Sequence, residues 1–500
     1  MTLSPPTPSV PAPTPARPSS PDLAVSGLPT TSTVDGLPLT ITEAAAALRS
    51  GALTSVALTE AVIARADKLD GPLGIYIKRT DEAALEAAAA ADAELAAGVD
   101  KGLLHGIPLG VKDIIATADA PTTAQSLILD PSFGEQGDAV VVSRLRAAGG
   151  VITGKLTTME YAIGFPDFDK PFPIPRNAFS LAHWPGGSSS GTGNGVAAGA
   201  FLGGLGTDTG GSVRLPAAWS NISGLKQTFG RVPKSGCVPL GYSYDNIGPM
   251  TRSARDCAAM LAVMAGHDES DACSVDVPVD DYLAALTGDI TGMRVGVDFS
   301  LLERPGVDPD AAALFRASVA SFEALGATVT EVTLPFYDEL TTATMAGLAA
   351  EAFAYHRADL QTRWSDYGYA TRVGIARAFM TTAADYVQAQ RVRRVGVKAV
   401  TEMFTTVDVV LTPATGAPSP EVDSLEWGDL MNTIFTPYWN AVGNPAISVP
   451  MGLTSGGLPV GLQISGRPFE ESTVLKAADA YQTVTEHHLV ESPVVKELLS

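Results

Sequence analysis

The chain is predicted to adopt an α/β fold: a layered α/β/α sandwich around a large mixed sheet, preceded by an N-terminal helical arm. Three observations point there. Short β-prone runs alternate with helical stretches through the middle of the chain, as in a sheet covered by helices on both faces. Apolar residues make up 45% of the 500, enough for a sizeable core. The 49 glycines, together with abundant alanine, favour close packing of backbone against backbone.

The elements follow in order. Residues 1–36 carry Pro5, Pro6, Pro8, Pro11, Pro13, Pro15, Pro18 and Pro21 among serines and threonines. Such a stretch buries too little surface to offset its ordering entropy, so a disordered leader is expected. Residues 37–100 form the arm. There Thr42 caps a helix ending at Gly51, and Ser55 starts a second with Leu58, Val62 and Ala66 on one face. Ile75 to Ile77 reads as a short strand and Asp81 to Ala97 as an alanine-rich helix. From residue 101 to 500 the main domain follows. Lys112 lies on a strand among Ile107, Leu109, Val111, Ile114 and Ile115; Asp138 to Ala148 is a helix and Val151 to Gly154 the next strand. Asn194 to Leu202 is a short helix of small residues. Met293 to Val297 restarts the strand pattern, Ala349 to Arg363 and Ala383 to Phe404 are helices, and Val407 to Leu411, Ala446 to Val449 and Val460 to Ile464 are strands. Glu471 to Thr485 closes the fold as a helix.

Composition excludes several classes. A formal charge of -21 with no run of lysine and arginine argues against a nucleic-acid partner. Cys237, Cys257 and Cys273 show no CxxC spacing, and the six histidines are scattered, so neither a disulfide framework nor a metal is expected, and no cofactor is called for. No apolar run approaches the ~20 residues that cross a bilayer, and no secretory signal is visible, which makes a cytoplasmic protein without membrane contact the default.

The chemistry concentrates in two places. Gly186-Gly187-Ser188-Ser189-Ser190-Gly191 and Gly210-Gly211-Ser212 bracket a segment of small residues, and Gly106-Ile107-Pro108-Leu109-Gly110-Val111-Lys112-Asp113 sets one lysine among apolar neighbours. Serines on glycine-rich backbone and a lysine suffice for acyl transfer without histidine or metal. Glycine backbone can supply N–H donors to an oxyanion, each worth ~3–4 kcal/mol. Lysine serves as a base only when neutral, and burial lowers its pKa from about 10.4. The bland readings are a strand–helix turn for the glycines and, for Lys112, a surface lysine paired with Asp113 or another acid.

These positions resemble the amidase signature family. The likeness runs from about Leu39 to near the C-terminus, through Pro121-Thr122-Thr123, Gly154-Lys155, Met159-Glu160-Tyr161-Ala162, Arg176-Asn177, Gly224-Leu225-Lys226, Leu411-Thr412-Pro413, Gly443-Asn444-Pro445 and Gly457-Leu458-Pro459. It implies a catalytic domain over 101–500 with a Ser–cisSer–Lys triad: Lys112 as base, Ser188 as bridging serine in a cis peptide, and Ser212 as nucleophile. In Gly206-Thr207-Asp208-Thr209-Gly210-Gly211-Ser212 it implies Thr209, Gly210 and Gly211, with Ser212, as backbone oxyanion donors. Asp208 and Arg214 would hold the loop by ion pairing, and Thr207 and Ser189 would orient it or the lysine. Ser190, Ser220-Asn221 and Gln227 depart from the family's glycine, cysteine-glycine and proline without removing a triad member.

The resemblance thus implies a serine amidohydrolase acting on a small-molecule amide or carbamate, or an ester, through an acyl-enzyme. A homodimer is left open. Walls for the substrate are expected from 159–176 and 430–445, where Tyr161, Phe165, Phe168, Phe172, Phe435, Tyr438 and Trp439 supply aromatic surface, a minority of them lining the pocket and the others ordinary core. The alternative is the glutamine-hydrolysing subunit of a tRNA-dependent amidotransferase, which the same triad would serve; Gln390-Arg391-Val392-Arg393 resembles a segment near the substrate in such relatives. The arginine face at Arg391, Arg393 and Arg394 otherwise reads as solvated surface or an ion-pair network. Gly187-Ser188-Ser189-Ser190-Gly191 also fits a nucleophile elbow around Ser189, but no apolar strand precedes it. Gly193-Asn194-Gly195 lacks the strand a dinucleotide fingerprint needs.

Overall fold

A computed structural model describes residues 33–34, 36–135 and 137–500. The leader expected at residues 1–36 falls almost wholly outside the described residues. Thirteen strands are described: β1 (Thr33–Val34), β2 (Leu37–Pro38), β3 (Tyr76–Arg79), β4 (Pro108–Lys112), β5 (Val151–Leu156), β6 (Gly203–Asp208), β7 (Ser223–Lys226), β8 (Asn246–Thr251), β9 (Arg294–Val297), β10 (Thr328–Glu331), β11 (Val409–Pro413), β12 (Ala446–Leu453) and β13 (Pro459–Gly466). Strands β1 and β2 pair with each other, and the other 11 form one sheet in the order β10-β9-β11-β13-β12-β7-β8-β6-β4-β5-β3. It is mixed: β4 runs parallel to β5 and β6, whereas β6–β8, β7–β8 and β12–β13 are antiparallel. With the 15 described α-helices, this is the expected mixed α/β architecture.

Side-chain alternation makes the layers. On β11, Val409 and Leu411 enter the large core with helices Ala254–Met264 and Glu471–Thr485, while Val410 joins Leu340, Val400 and Trp439 on the opposite face. β4 divides in the same way. Leu109 and Val111 point into the large core, so Lys112, one residue on, is turned to the other face. There the helix Ser190–Ala198 lies, one turn earlier than expected and of the same length.

In the arm, the first helix is capped by Thr40, not Thr42: the Thr40 hydroxyl accepts from Glu43 N at 3.1 Å and the helix spans Ile41–Ser50. Gly51 closes it at φ +73°. The second helix, Ser55–Leu73, is capped by Thr54. β3 then adds antiparallel to β5 at the sheet edge. Among the described residues no helix is long and apolar enough to cross a membrane.

Candidate active site

Lys112 is fully buried at the end of β4. Its Nζ donates to three hydroxyls: Ser188 Oγ at 2.6 Å, Ser189 Oγ at 3.1 Å and Thr207 Oγ1 at 2.7 Å. The neighbouring acid is engaged elsewhere. Asp113 pairs with Lys155, Oδ1 to Nζ at 3.3 Å with both side chains buried, and accepts from the Thr123 hydroxyl. Lys112 is therefore neither exposed nor paired with Asp113. Burial among neutral partners lowers its ammonium to about 7, against a weaker upward pull from Cys237, Asp245 and Asp208.

The other hydroxyls are held in turn. Ser189 Oγ donates to Thr207 O at 3.2 Å and accepts from Thr207 N at 3.1 Å, so the segment before the Ser190–Ala198 helix is fastened to β6. Gly187, at φ +55°, brings this segment against the loop of Ser212: a Cβ there would lie 3.0 Å from Ser212 Cα and 3.4 Å from Ser212 Cβ.

The described residues contain no cis peptide bond, which corrects the expectation of a cis linkage at Ser188. The turn is made instead by Gly186 at φ +96° and Gly187 at φ +55°, and Ser188 Oγ still reaches Lys112.

Ser212 lies between β6 and the helix Arg214–Trp219. Among the described residues, none accepts from the backbone N–H groups of Gly210, Gly211 and Ser212. The Gly210 carbonyl is turned away by a bond from Thr436 Oγ1 at 2.8 Å. Gly211 sits at φ +133°, and a Cβ there would come within 2.0 Å of Thr436 Oγ1, so only glycine fits. Thr209 Oγ1 donates to Asp245 Oδ1 at 2.6 Å.

Behind the loop, Asp208 and Arg214 form a fully buried two-point pair, Arg214 Nε to Oδ2 at 2.9 Å and Nη2 to Oδ1 at 2.8 Å. Arg214 also donates to Thr436 O, Gln463 Oε1 and Asn440 Oδ1. Burial pushes the Asp208 carboxyl up, but Arg214, with Lys226 and Asn440, overrides this and holds it at about 2. Neither Asp208 nor Arg214 is among the residues lining the cleft.

The cleft at Ser212 is narrow, about 80 Å³, and walled by Met159, Ile163, Trp184, Leu215, Leu348, Trp427, Leu430, Met431 and Ile434, with no charged side chain. The expected segments supply Met159, Ile163, Leu430, Met431 and Ile434, but none of the seven aromatic candidates, of which a minority was expected, lines the cleft. Tyr438, Trp439 and Phe435 belong to the core around β11, Tyr161 is buried against His356, and Phe168 is exposed. Phe165 stacks on Trp427 at 4.6 Å and so backs a wall residue. Trp184 and Trp427 went unread because neither stands in a motif. Arg393 is occupied outside the cleft: it lies 4.1 Å over the Tyr244 ring and donates to Ala441 O, Gln390 Oε1 and Ser243 O.

A lysine lowered toward neutrality against hydroxyls, beside a serine under free backbone donors, is an arrangement capable of acyl transfer. Comparison with known proteins gives the family. The Amidase family model matches residues 57–475, and this chain belongs to the amidase signature family. It is 39% identical over 481 residues to a glutamyl-tRNA(Gln) amidotransferase subunit of Chloroflexus aggregans, covering 90% of this chain and 97% of that protein. Its fold is similar to the peptide amidase of Stenotrophomonas maltophilia, at TM-score 0.78 and 31% identity over 89% of this chain and 97% of that one. The corresponding glutamyl-tRNA(Gln) amidotransferase subunit of Thermotoga maritima superposes at TM-score 0.71 with 30% identity, covering 84% of this chain and 89% of that one. Members of this family act on amides, as hydrolases or as amidotransferases. The name of the Chloroflexus relative includes tRNA, so the exclusion of nucleic acid drawn from net charge has no support among these relatives.

Proposed function

We propose that this chain is a free-standing serine amidohydrolase for amides with a short apolar acyl group, with carbamates and esters as further substrates of the same carbonyl chemistry. In this reading Ser212 Oγ attacks the carbonyl and passes its proton to Ser188, which gives its own to neutral Lys112. The oxyanion is received by the N–H groups of Thr209, Gly210, Gly211 and Ser212. The amine departs with the returned proton, leaving an acyl group on Ser212 that water removes by the reverse steps. Thr207 and Ser189 hold Lys112 in line, and the Asp208–Arg214 pair holds the loop.

The observation that carries the reading is the lysine: fully buried, free of any carboxylate contact, and 2.6 Å from the bridging hydroxyl. A relay through Lys112 makes kcat/KM climb as pH rises through about 7, because the base works only after its ammonium loses the proton. Lys226 is also buried and also lowered to about 7, but it donates to Asn444 O. The rise should therefore persist in Lys226→Met and vanish from the residual rate of Lys112→Ala.

A second reading, the glutamine-hydrolysing subunit of an amidotransferase, is favoured by the name of the 39% identical relative. Against it stands the cleft: glutamine brings an ammonium and a carboxylate, and the lining offers no charge to either. The test is the purified chain alone, given short aliphatic amides and glutamine, with peptide mass spectrometry for an acyl adduct on Ser212. Turnover of the apolar amides with that adduct is expected. Glutamine cleavage that appears only with added partner subunits would establish the second reading instead.

A further inference from the structure

Between β6 and Ser212 the chain passes through Thr209, Gly210 and Gly211. Each N–H there points where its peptide plane points, and in a planar trans peptide a fixed carbonyl fixes the N–H across it. The Gly210–Gly211 plane is held in this way, by the bond that Gly210 O accepts from Thr436 Oγ1 at 2.8 Å. The Thr209–Gly210 plane has no such hold: among the described residues nothing donates to Thr209 O. Its tie runs through the Thr209 side chain, whose hydroxyl donates to Asp245 Oδ1 at 2.6 Å.

Asp245 is itself firmly placed. Its Oδ1 also accepts from Gly241 N at 3.0 Å and its Oδ2 from Leu240 N at 3.0 Å, while its own N–H donates to Gly241 O at 2.8 Å. A carboxylate that only closed the turn 240–245 would need those two backbone donors and no more. The Thr209 hydroxyl is the added partner, and it joins that turn to the loop of Ser212. Packing repeats the join: a Cβ on Gly241 would lie 3.0 Å from Thr209 Cγ2 and 3.0 Å from Leu348 Cβ. Leu240 and Leu348 both line the apolar cleft. Asn246, the next residue, fastens the same junction, its Nδ2 donating to Asp208 O at 3.3 Å across the β6–β8 pair.

We infer that Asp245 is a positioning residue: by fixing Thr209 it aims the Gly210 N–H at the oxyanion, and by holding Leu240 it keeps the cleft wall in register with that donor. The inference rests on the reading of Ser212 as nucleophile beneath these donors. Kinetics on acetamide, propionamide and butyramide test it. Thr209→Val keeps the shape and deletes the hydroxyl, so kcat should fall on the order of 10²-fold, the scale of a misaimed group. KM should stay nearly unchanged, because a donor to the oxyanion is felt only in the transition state. Thr209→Ser restores the hydroxyl and should recover most of the loss. Asp245→Ala should lower kcat by a similar factor and, by releasing Leu240, raise KM as well. Both changes cut the same contact, so the double variant should have the kcat of Asp245→Ala alone. Wild-type kcat in Thr209→Val, no recovery in Thr209→Ser, or losses that multiply in the double variant overturn the role of Asp245 alone, provided that Ser212 still takes its acyl adduct. A wild-type chain that turns over none of the three amides and acquires no adduct on Ser212 overturns this role and the underlying reading together.

Discussion

Ser212→Ala is expected to lose amide turnover by a factor on the order of 10⁶, the scale seen when a serine nucleophile is removed. The substitution deletes one oxygen from a side chain that donates to none of the described residues, so the cleft and the donors of Gly210 and Gly211 stay in place. What is lost is the covalent route alone. Binding should survive, and KM of any residual rate should move little, because the apolar walls do not involve the hydroxyl. In the proposed relay Lys112→Ala removes the base but leaves the nucleophile, and should cost several orders of magnitude, on the order of 10³ to 10⁴. The two variants differ in a further respect. An activated ester should still acylate the lysine variant slowly, whereas the Ser212 variant should take no adduct at all. Initial rates on one amide, with intact-mass detection of the acyl-enzyme, separate these outcomes. A Ser212→Ala enzyme that keeps wild-type turnover would remove this residue from the mechanism.

How much of this could be read beforehand depends on the kind of signal. β4 and β5 were legible because β-branched and apolar residues run together at 107–115 and 151–156. β6 was missed as a strand: Gly203-Gly204-Leu205-Gly206 has no side-chain alternation to detect, although it leads into the loop of Ser212. β8 contains Gly248 and Pro249, and β10 is largely exposed, so neither gave a buried-strand pattern. The helix at Tyr337–Thr362 starts well before the expected Ala349, because its first turns are rich in threonine, a poor helix former. Lys112, Ser188 and Ser212 were nominated by motif, and their neighbourhood follows from strand order. β6 lies beside β4, which brings Thr207 to Lys112. The pairing of Asp113 with Lys155 is a tertiary choice that spacing does not reveal, and it is what leaves Lys112 with hydroxyls only. The cleft was least legible. Trp427, Leu430 and Met431 come from a short helix far along the chain from Met159 and Ile163, and sequence proximity to a motif is no guide to such a wall. Departures from the family pattern also have local reasons. Asn221 sits at φ +57°, where the family has glycine, a conformation asparagine tolerates better than most residues.

Arg214→Leu should be the most damaging change to stability, about 3–5 kcal/mol, the cost of breaking a buried ion pair from one side. Asp208 would keep Asn440 Nδ2 and Val213 N as donors but lose the guanidinium that bonds both of its oxygens. Gln463, Asn440 and the Thr436 carbonyl would each lose a donor as well. The pH dependence tests the cause. In the wild type the folded Asp208 is held at about 2, below its ordinary value of 3.8. Its contribution to stability is therefore complete above about 3.8 and is lost as pH falls through about 2. In Arg214→Leu the larger opposing charge is gone, leaving Lys226 alone against the burial that pushes the carboxyl up, so the folded state takes a proton more readily than the unfolded one. That variant should lose stability as pH rises through the raised value, and the gap to the wild type should be widest at neutral pH and close on acidification. Adding Asp208→Asn to Arg214→Leu should recover part of the loss, since no buried charge then stands alone. Thermal unfolding of the wild type and the two variants between pH 2 and 8 measures all of this. A deficit in Arg214→Leu that is the same at every pH, and that Asp208→Asn leaves untouched, would show that the arginine holds the nucleophile loop by packing and neutral hydrogen bonds, not by charge.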